Sequence, residues 1–287
     1  MKKSSRYRRI PTALIFAGWF SLICPLHAAD AAEELVRSIK ARDAGWIARD
    51  HWLARLTPDE QKKLCGAAAR PTLPPATPTL TFPVNDPLPS KLDWRHRNGN
   101  WITPPKTQFL PQYCGSCWAF AAVAATESWW KIQQQKPDSI IDLSEQCLLS
   151  CSDAGSCSGG FSEFALDYIR SRGLAAETCF PYQGRDDVLC EEMCAVGNTD
   201  LVRIPGWGYV SLEEAMPELI KRAVYHHPVV TSLIIHQDFM YYAGGVYEYV
   251  WGDRVDFHYV LIVGWDDEQH CWICKNKIGR ASCRERV

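Results

Sequence analysis

Cys117 is placed to do nucleophilic chemistry. It closes a Cys114-Gly-Ser-Cys117 turn, and the Trp118, Ala119, Phe120, Ala121, Ala122, Val123, Ala124, Ala125 run that follows is a strong helix former. A thiol in the first turn of a helix faces unpaired N–H groups and the positive end of the helix dipole, and both favour the thiolate. Such a nucleophile needs a base or cationic partner, a group that orients the partner, and donors for a developing oxyanion. Of the eight histidines, His27 falls in an N-terminal leader, His51 in a segment ahead of the main domain, and His226-His227 before Pro228 at a helix end. His258 differs. It lies inside the apolar, strand-like run 255–265, and a second strand at 271–275 follows and ends on the amide of Asn276.

The elements that must position these groups fall into two halves. Helices are expected at 117–135, at 144–150 (with Asp142-x-x-Glu145 as a capping box) and at 162–172. Strands are expected at 229–235, 246–250, 260–263 and 271–275, with one more helix opening at Ser211-Leu-Glu-Glu214. Cys117 belongs to the helical half and His258 to the strand-rich half, so a joint site lies in a cleft between them.

The chain has 287 residues and a net charge of −2, so nothing points to a nucleic acid or other polyanion as partner. Its 13 cysteines are too many for a reducing compartment. The N-terminus explains this. Lys2, Lys3, Arg6, Arg8 and Arg9 precede an apolar stretch at 10–24, and Ala28-Ala29 offers a cleavage site. That stretch is shorter than the ~20 residues of a spanning helix, so residues 1–28 are expected to be a signal peptide. The mature protein, with no membrane span, then travels the secretory route to the outside, to a lysosome- or vacuole-like compartment, or to a periplasm. No Asn-x-Ser/Thr sequon is present. Residues 31–68 have near-helical apolar spacing with a polar turn at 59–63, and they cannot bury a core alone. A cuttable linker with seven prolines follows between Arg70 and Pro89. Segment, linker and compact domain have the layout of a zymogen, with 29–87 as pro-segment and linker.

Four motifs in order, Gln…Cys-Gly-Ser-Cys-Trp-Ala-Phe, Ser156-Cys-Ser-Gly-Gly160, Phe-His-Tyr-Val…Val-Gly-Trp and Trp-Ile-Cys-Lys-Asn276, resemble the papain family of cysteine peptidases. The resemblance spans about 88–276. It implies an α+β, papain-like two-lobed fold and a cysteine-type peptidase that needs no cofactor or metal and acts on polypeptides through a thioester acyl-enzyme. It also implies Cys117 as nucleophile, His258 as ion-pair partner and general acid, Asn276 as its orienting group, and Gln108 with the Cys117 N–H as oxyanion hole. Gly159 and Gly160 would let a substrate strand add at their edge. Tyr259, where the family usually has a small residue, would narrow the pocket for the second residue before the scissile bond. The pro-segment would act as the chain's own inhibitor.

Within the family, Gln108-Phe-Leu-Pro-Gln-Tyr-Cys-Gly-Ser-Cys-Trp118 is similar to the cathepsin X branch, with the same three-residue insertion before the nucleophile. Phe109 stands where that branch has a histidine thought to hold a substrate's C-terminal carboxylate, and Phe can neither donate a hydrogen bond nor carry charge. Residues 34–66 are similar to the cathepsin B pro-segment, but that branch's occluding loop has no counterpart. Endopeptidase action is the expectation, with C-terminal trimming as the alternative. The resemblance also implies the disulfides Cys114–Cys157 and Cys151–Cys190; Cys179–Cys194 is suggested by proximity, and Cys147, Cys271 and Cys274 are expected as buried thiols.

Two Cys-x-x-Cys pairs admit other classes. Cys114 and Cys117 resemble a thioredoxin-type redox pair, but no βαβ unit surrounds them. Cys271 and Cys274 could begin a zinc site, but the two pairs are far apart in sequence. A peptidase homologue that binds without cutting is a third reading, opposed by the presence of Cys117, His258 and Gln108 together. Where the family continues Ser-Trp-Gly after its asparagine, this chain reads 277–287. That string back-translates into a common sequencing adapter, so the tail is expected to be a read-through artefact replacing the last strands.

Overall fold

Small side chains let the helix that starts at Cys117 run through the middle of the molecule, where Cys117, Trp118, Ala119, Ala121, Ala122 and Val123 are all fully covered. The computed structural model describes residues 26–50, 52–66, 79–82, 86–195, 200–211, 216–277 and 283–286. The expected leader lies outside them except for its last residues, and so does most of the proline-rich linker.

In chain order the elements are α1 (Leu26–Ala41), β1 (Trp46–Ala48), α2 (Pro58–Lys63), β2 (Lys91–Asp93), α3 (Cys117–Gln133), α4 (Glu145–Cys151), β3 (Gly155–Ser156), β4 (Gly159–Gly160), α5 (Ser162–Ser171), α6 (Pro217–His226), β5 (Val229–His236), β6 (Tyr242–Tyr247), β7 (Arg254–Asp266), β8 (Cys271–Lys275) and β9 (Cys283–Arg286). The order is helices then strands, as the sequence suggests, with several local corrections. The segment ahead of the domain is not one helical stretch: β1 and a 3-10 turn at Trp52–Arg55 separate α1 from α2. The polar stretch expected as a turn at 59–63 is helix. Thr57 Oγ1 accepts the Glu60 N–H while the Glu60 carboxylate accepts the Thr57 N–H at 2.8 Å, a reciprocal cap.

At α4 the cap is Ser144, whose Oγ accepts the Cys147 N–H at 3.0 Å. Asp142, expected in that role, pairs with Lys106 at 2.6 Å instead. Strand β6 ends earlier than expected. Asp238 accepts from the Tyr247 hydroxyl and from the Val250 and Trp251 N–H groups, which holds 248–251 in a loop. Residues 212–215, at the expected helix opening after Ser211, lie outside the described ones, and α6 runs from Pro217 to His226. In the tail, β9 pairs antiparallel with β8 and parallel with β6.

The main sheet runs β1-β6-β9-β8-β7-β2, with β5 also paired to β7. Three apolar clusters fill the interior. One lies among α3, α4 and α5; a second joins α3 to α6, β7 and β8. The third joins Leu35, Trp46, Leu53, Leu64 and Cys65 of the leading segment to Phe109, Ile235, Phe239, Met240, Tyr241 and Tyr247. The leading segment therefore shares a core with the domain and completes it as an extra strand and lid.

Candidate active site

Cys117 opens α3 in the helical lobe and His258 sits in the middle of β7, so the chain brings them together only when the two lobes close on each other. The next backbone N–H after His258, that of Tyr259, donates to Cys117 Sγ at 3.4 Å. His258 Nε2 is 2.9 Å from Asn276 Oδ1. The same oxygen accepts the Lys277 N–H at 2.8 Å, so it is an acceptor, and His258 donates to it from Nε2. Gln108 is fully buried, and its Nε2 donates to the carbonyls of Leu64 and Cys114, both at 3.0 Å.

The cleft holds three consecutive residues of the leading segment. The Leu64 carbonyl takes the Gln108 amide, and the Cys65 carbonyl lies 3.7 Å from Cys117 Sγ. The Gly66 carbonyl accepts the Gly160 N–H at 2.9 Å. Only glycine fits at this last position, because a Cβ on Gly66 would lie 1.6 Å from the Gly115 carbonyl oxygen. Sequence reasoning expected an inhibitory segment without locating its contacts; a glycine next to a lone cysteine was the available signal.

This lid reverses the expected thiolate. Burial pushes the Cys117 thiol up, against the opposing influence of Lys277 and of the Tyr259 and Trp118 N–H groups. Burial, and then the Lys277 ammonium, push His258 down to about 3. A half-charge at a helix end cannot offset complete loss of water, so both members of the pair are held neutral here.

Gly159 and Gly160 form β4, paired with β3. A Cβ at Gly160 would lie 2.7 Å from the Trp118 ring, whose Nε1 donates to the Ser156 carbonyl at 3.2 Å. Gly160 is therefore needed for packing on Trp118. Tyr259 is buried and its hydroxyl donates to Glu163 at 3.1 Å, as does that of Tyr209. The ring forms one wall of a cavity of about 640 Å³ between α3, α5 and β5. Glu163 went unread in the sequence because nothing in its spacing marks it.

Among the described residues three disulfides are present: Cys114–Cys157, Cys151–Cys190 and Cys179–Cys194. The first takes Cys114 away from any redox partnership with Cys117. Cys147, Cys271 and Cys274 are buried. Among the described residues no group of three or more His, Cys, Asp or Glu could hold a metal, and no helix is long and apolar enough to cross a membrane.

A helical lobe and a strand-rich lobe with a buried thiol and imidazole at their seam define an α+β protein of the papain-like architecture. The chain belongs to the papain family: residues 88–282 match the family model described as papain family cysteine protease. It is 33% identical over 210 residues to cathepsin Z of Onchocerca volvulus, covering 68% of this chain and 67% of that one. It is also 33% identical to a cathepsin L-like peptidase of Aedes aegypti, covering 70% of this chain and 58% of the relative. The chain thus spans about three-fifths of the length of the curated relatives it matches. Among solved structures, procathepsin B S9 of Trypanosoma congolense superposes with a TM-score of 0.74 at 24% identity, over 88% of this chain and 91% of that one. Procathepsin L2 of Tenebrio molitor does so with the same score and identity, over 91% and 85%.

Proposed function

We propose that this chain is a cysteine-type peptidase made as a zymogen, with residues 29–87 as its own inhibitor and linker and the domain from residue 88 as the catalytic unit. A polypeptide lies along Gly159 and Gly160 with its scissile carbonyl over Cys117. The thiolate attacks, and the oxyanion is taken by Gln108 Nε2 and the Cys117 N–H. His258, held by Asn276, protonates the leaving amine, and water then hydrolyses the thioester. The observation that carries this reading is a peptide carbonyl, that of Leu64, already seated on Gln108 Nε2 at 3.0 Å, with the next carbonyl, that of Cys65, 3.7 Å from the buried thiol. It is the position a substrate oxyanion would take.

Phe109 supports internal cleavage, since it offers neither charge nor donor to a terminal carboxylate. The disulfides and the basic–apolar leader support a secretory route to an oxidising compartment. The test is expression of the protein and its Cys117→Ala variant, assayed on internal and C-terminal bonds. Wild-type cleavage blocked by thiol reagents and absent from the variant is expected, with internal bonds preferred. Cleavage that survives in the variant would mean the nucleophile is misassigned, and preferential loss of single C-terminal residues would favour the trimming reading.

A further inference from the structure

The proposed reaction leaves one cleft carboxylate without a task. Asp256 lies two residues before His258 on β7, and side chains alternate along a strand, so the two share a face. Its cross-strand neighbour on β5 is Ile235, which packs in the same cluster as Leu64, Cys65 and Phe109. Phe257 and Tyr259, on the opposite face, line the cavity beside Ser162 and Glu163. Asp256 therefore belongs to the part of the cleft that Leu64 and Cys65 cover, on the other side of β7 from that cavity. The carboxylate is half-buried, and its Oδ1 accepts the Phe257 N–H at 2.9 Å. Among the described residues it has no ion-pair partner. Arg254, the nearest cation along the strand, lies instead over the Phe257 ring at 4.1 Å.

The charge of Asp256 reaches the reacting groups. Burial, then Cys117 and then Asp256 push the Cys65 thiol up; burial first, and Asp256 after it, act in the same direction on Cys117. The seated segment shows which charge suits this place. Helix α2 lies against β7 and closes on Lys62 and Lys63, immediately before Leu64. The chain's own inhibitory segment thus brings two basic residues to this part of the cleft. A carboxylate between low-dielectric walls draws a cationic side chain and repels an anionic one. We infer that Asp256 is a specificity-determining residue that selects a lysine or arginine side chain close to the scissile bond. This rests on the peptidase reading above and adds the charge class of the substrate to it.

The test uses the processed enzyme and internally quenched peptides that carry Lys, Arg, Gln or Glu, one at a time, at each of the three positions on either side of the scissile bond. At one of these positions wild type is expected to favour Lys or Arg over Gln by roughly fivefold in kcat/KM, the scale of an ion pair still open to solvent. The gain should sit in KM and shrink as salt is raised. In Asp256→Asn the ratio of Lys to Gln at that position is expected to fall towards one. In Asp256→Lys the order should reverse, with Glu cleaved faster than Lys, an outcome that a merely structural role would not produce. Equal rates for Lys, Arg and Gln at every position in wild type, or a basic preference undiminished in Asp256→Asn, overturns the inference. Absence of any thiol-dependent cleavage overturns the peptidase reading instead, so the two failures are distinguishable.

Discussion

In the proposed reaction Asn276 orients His258 through a single oxygen. Its Oδ1 accepts from His258 Nε2 at 2.9 Å and from the Lys277 N–H at 2.8 Å, which fixes the amide orientation and places a proton on Nε2. Asn276→Ala leaves thiol and imidazole in place but lets the ring turn away from the sulfur. A fall in kcat of about 10–100-fold with little change in KM is expected, since misplaced catalytic groups cost on that order. A Gln at this position should rescue less than half of the loss on a logarithmic scale, because its longer stem shifts the oxygen. Steady-state kinetics with active-site titration check this; an unchanged kcat would remove Asn276 from the mechanism. The residue types were readable in the chain: a cysteine at a helix start, an imidazole in an apolar strand and an amide closing the next strand. What could not be read was their protonation, because it depends on burial by residues far away in sequence.

At the scale of elements, the segment from α1 to Gly66 is held at three places: β1 on β6, the shared apolar cluster, and the three carbonyls in the cleft. Its closed position keeps His258 neutral, with a pKa lowered to about 3 by burial first and Lys277 second. The sign follows. Once the lid opens, His258 returns towards its ordinary value of about 6.5 and binds a proton that the closed form excludes. The lid's stability from this group is therefore full above about pH 6.5 and is lost as pH falls towards 3. The loss amounts to at most about 1.4 kcal/mol, or tenfold in the opening equilibrium, per pH unit. Inhibition of the processed enzyme by the isolated segment, 29–87, is expected to weaken steadily below pH 6.5. Binding to a Cys117→Ala, His258→Ala double variant should lose most of that slope, and a slope that survives places the pH response in other groups. Elements showed the same division between readable and unreadable features. Strand β8 falls where alternation and apolar content put it. The capping residue of α4 does not, because Lys106 competes for Asp142 and leaves Ser144 to cap.

Across the whole molecule, one buried charge cluster ties the lobes. Glu127 on α3 accepts the Leu143 N–H at 3.0 Å and a bond from Thr103, and lies 3.5 Å from Lys106 and 3.9 Å from Lys275. Lys106 also pairs with Glu145 at 3.0 Å; against the cost of burial, Glu145 and Glu127 hold its ammonium above the ordinary lysine range. Lys275 immediately precedes Asn276, so the cluster anchors the strand end that orients His258. Glu127→Ala would leave the buried Lys275 ammonium without its carboxylate, while Lys106 keeps Asp142 and Glu145. A loss of roughly 3–5 kcal/mol is expected, read by chemical unfolding of the Cys117→Ala zymogen. A loss under 1 kcal/mol would show that the lobes are held by apolar packing alone. The sequence by itself determined the two halves, the thiol and imidazole and the dependent leading segment. Each is written in local composition or in motifs a few residues long. Only the tertiary structure decided that the thiol is neutral, that Leu64, Cys65 and Gly66 lie across it and that Glu127 bridges the lobes. Those features arise where distant segments meet and exclude water, and no local pattern records which segments will do so.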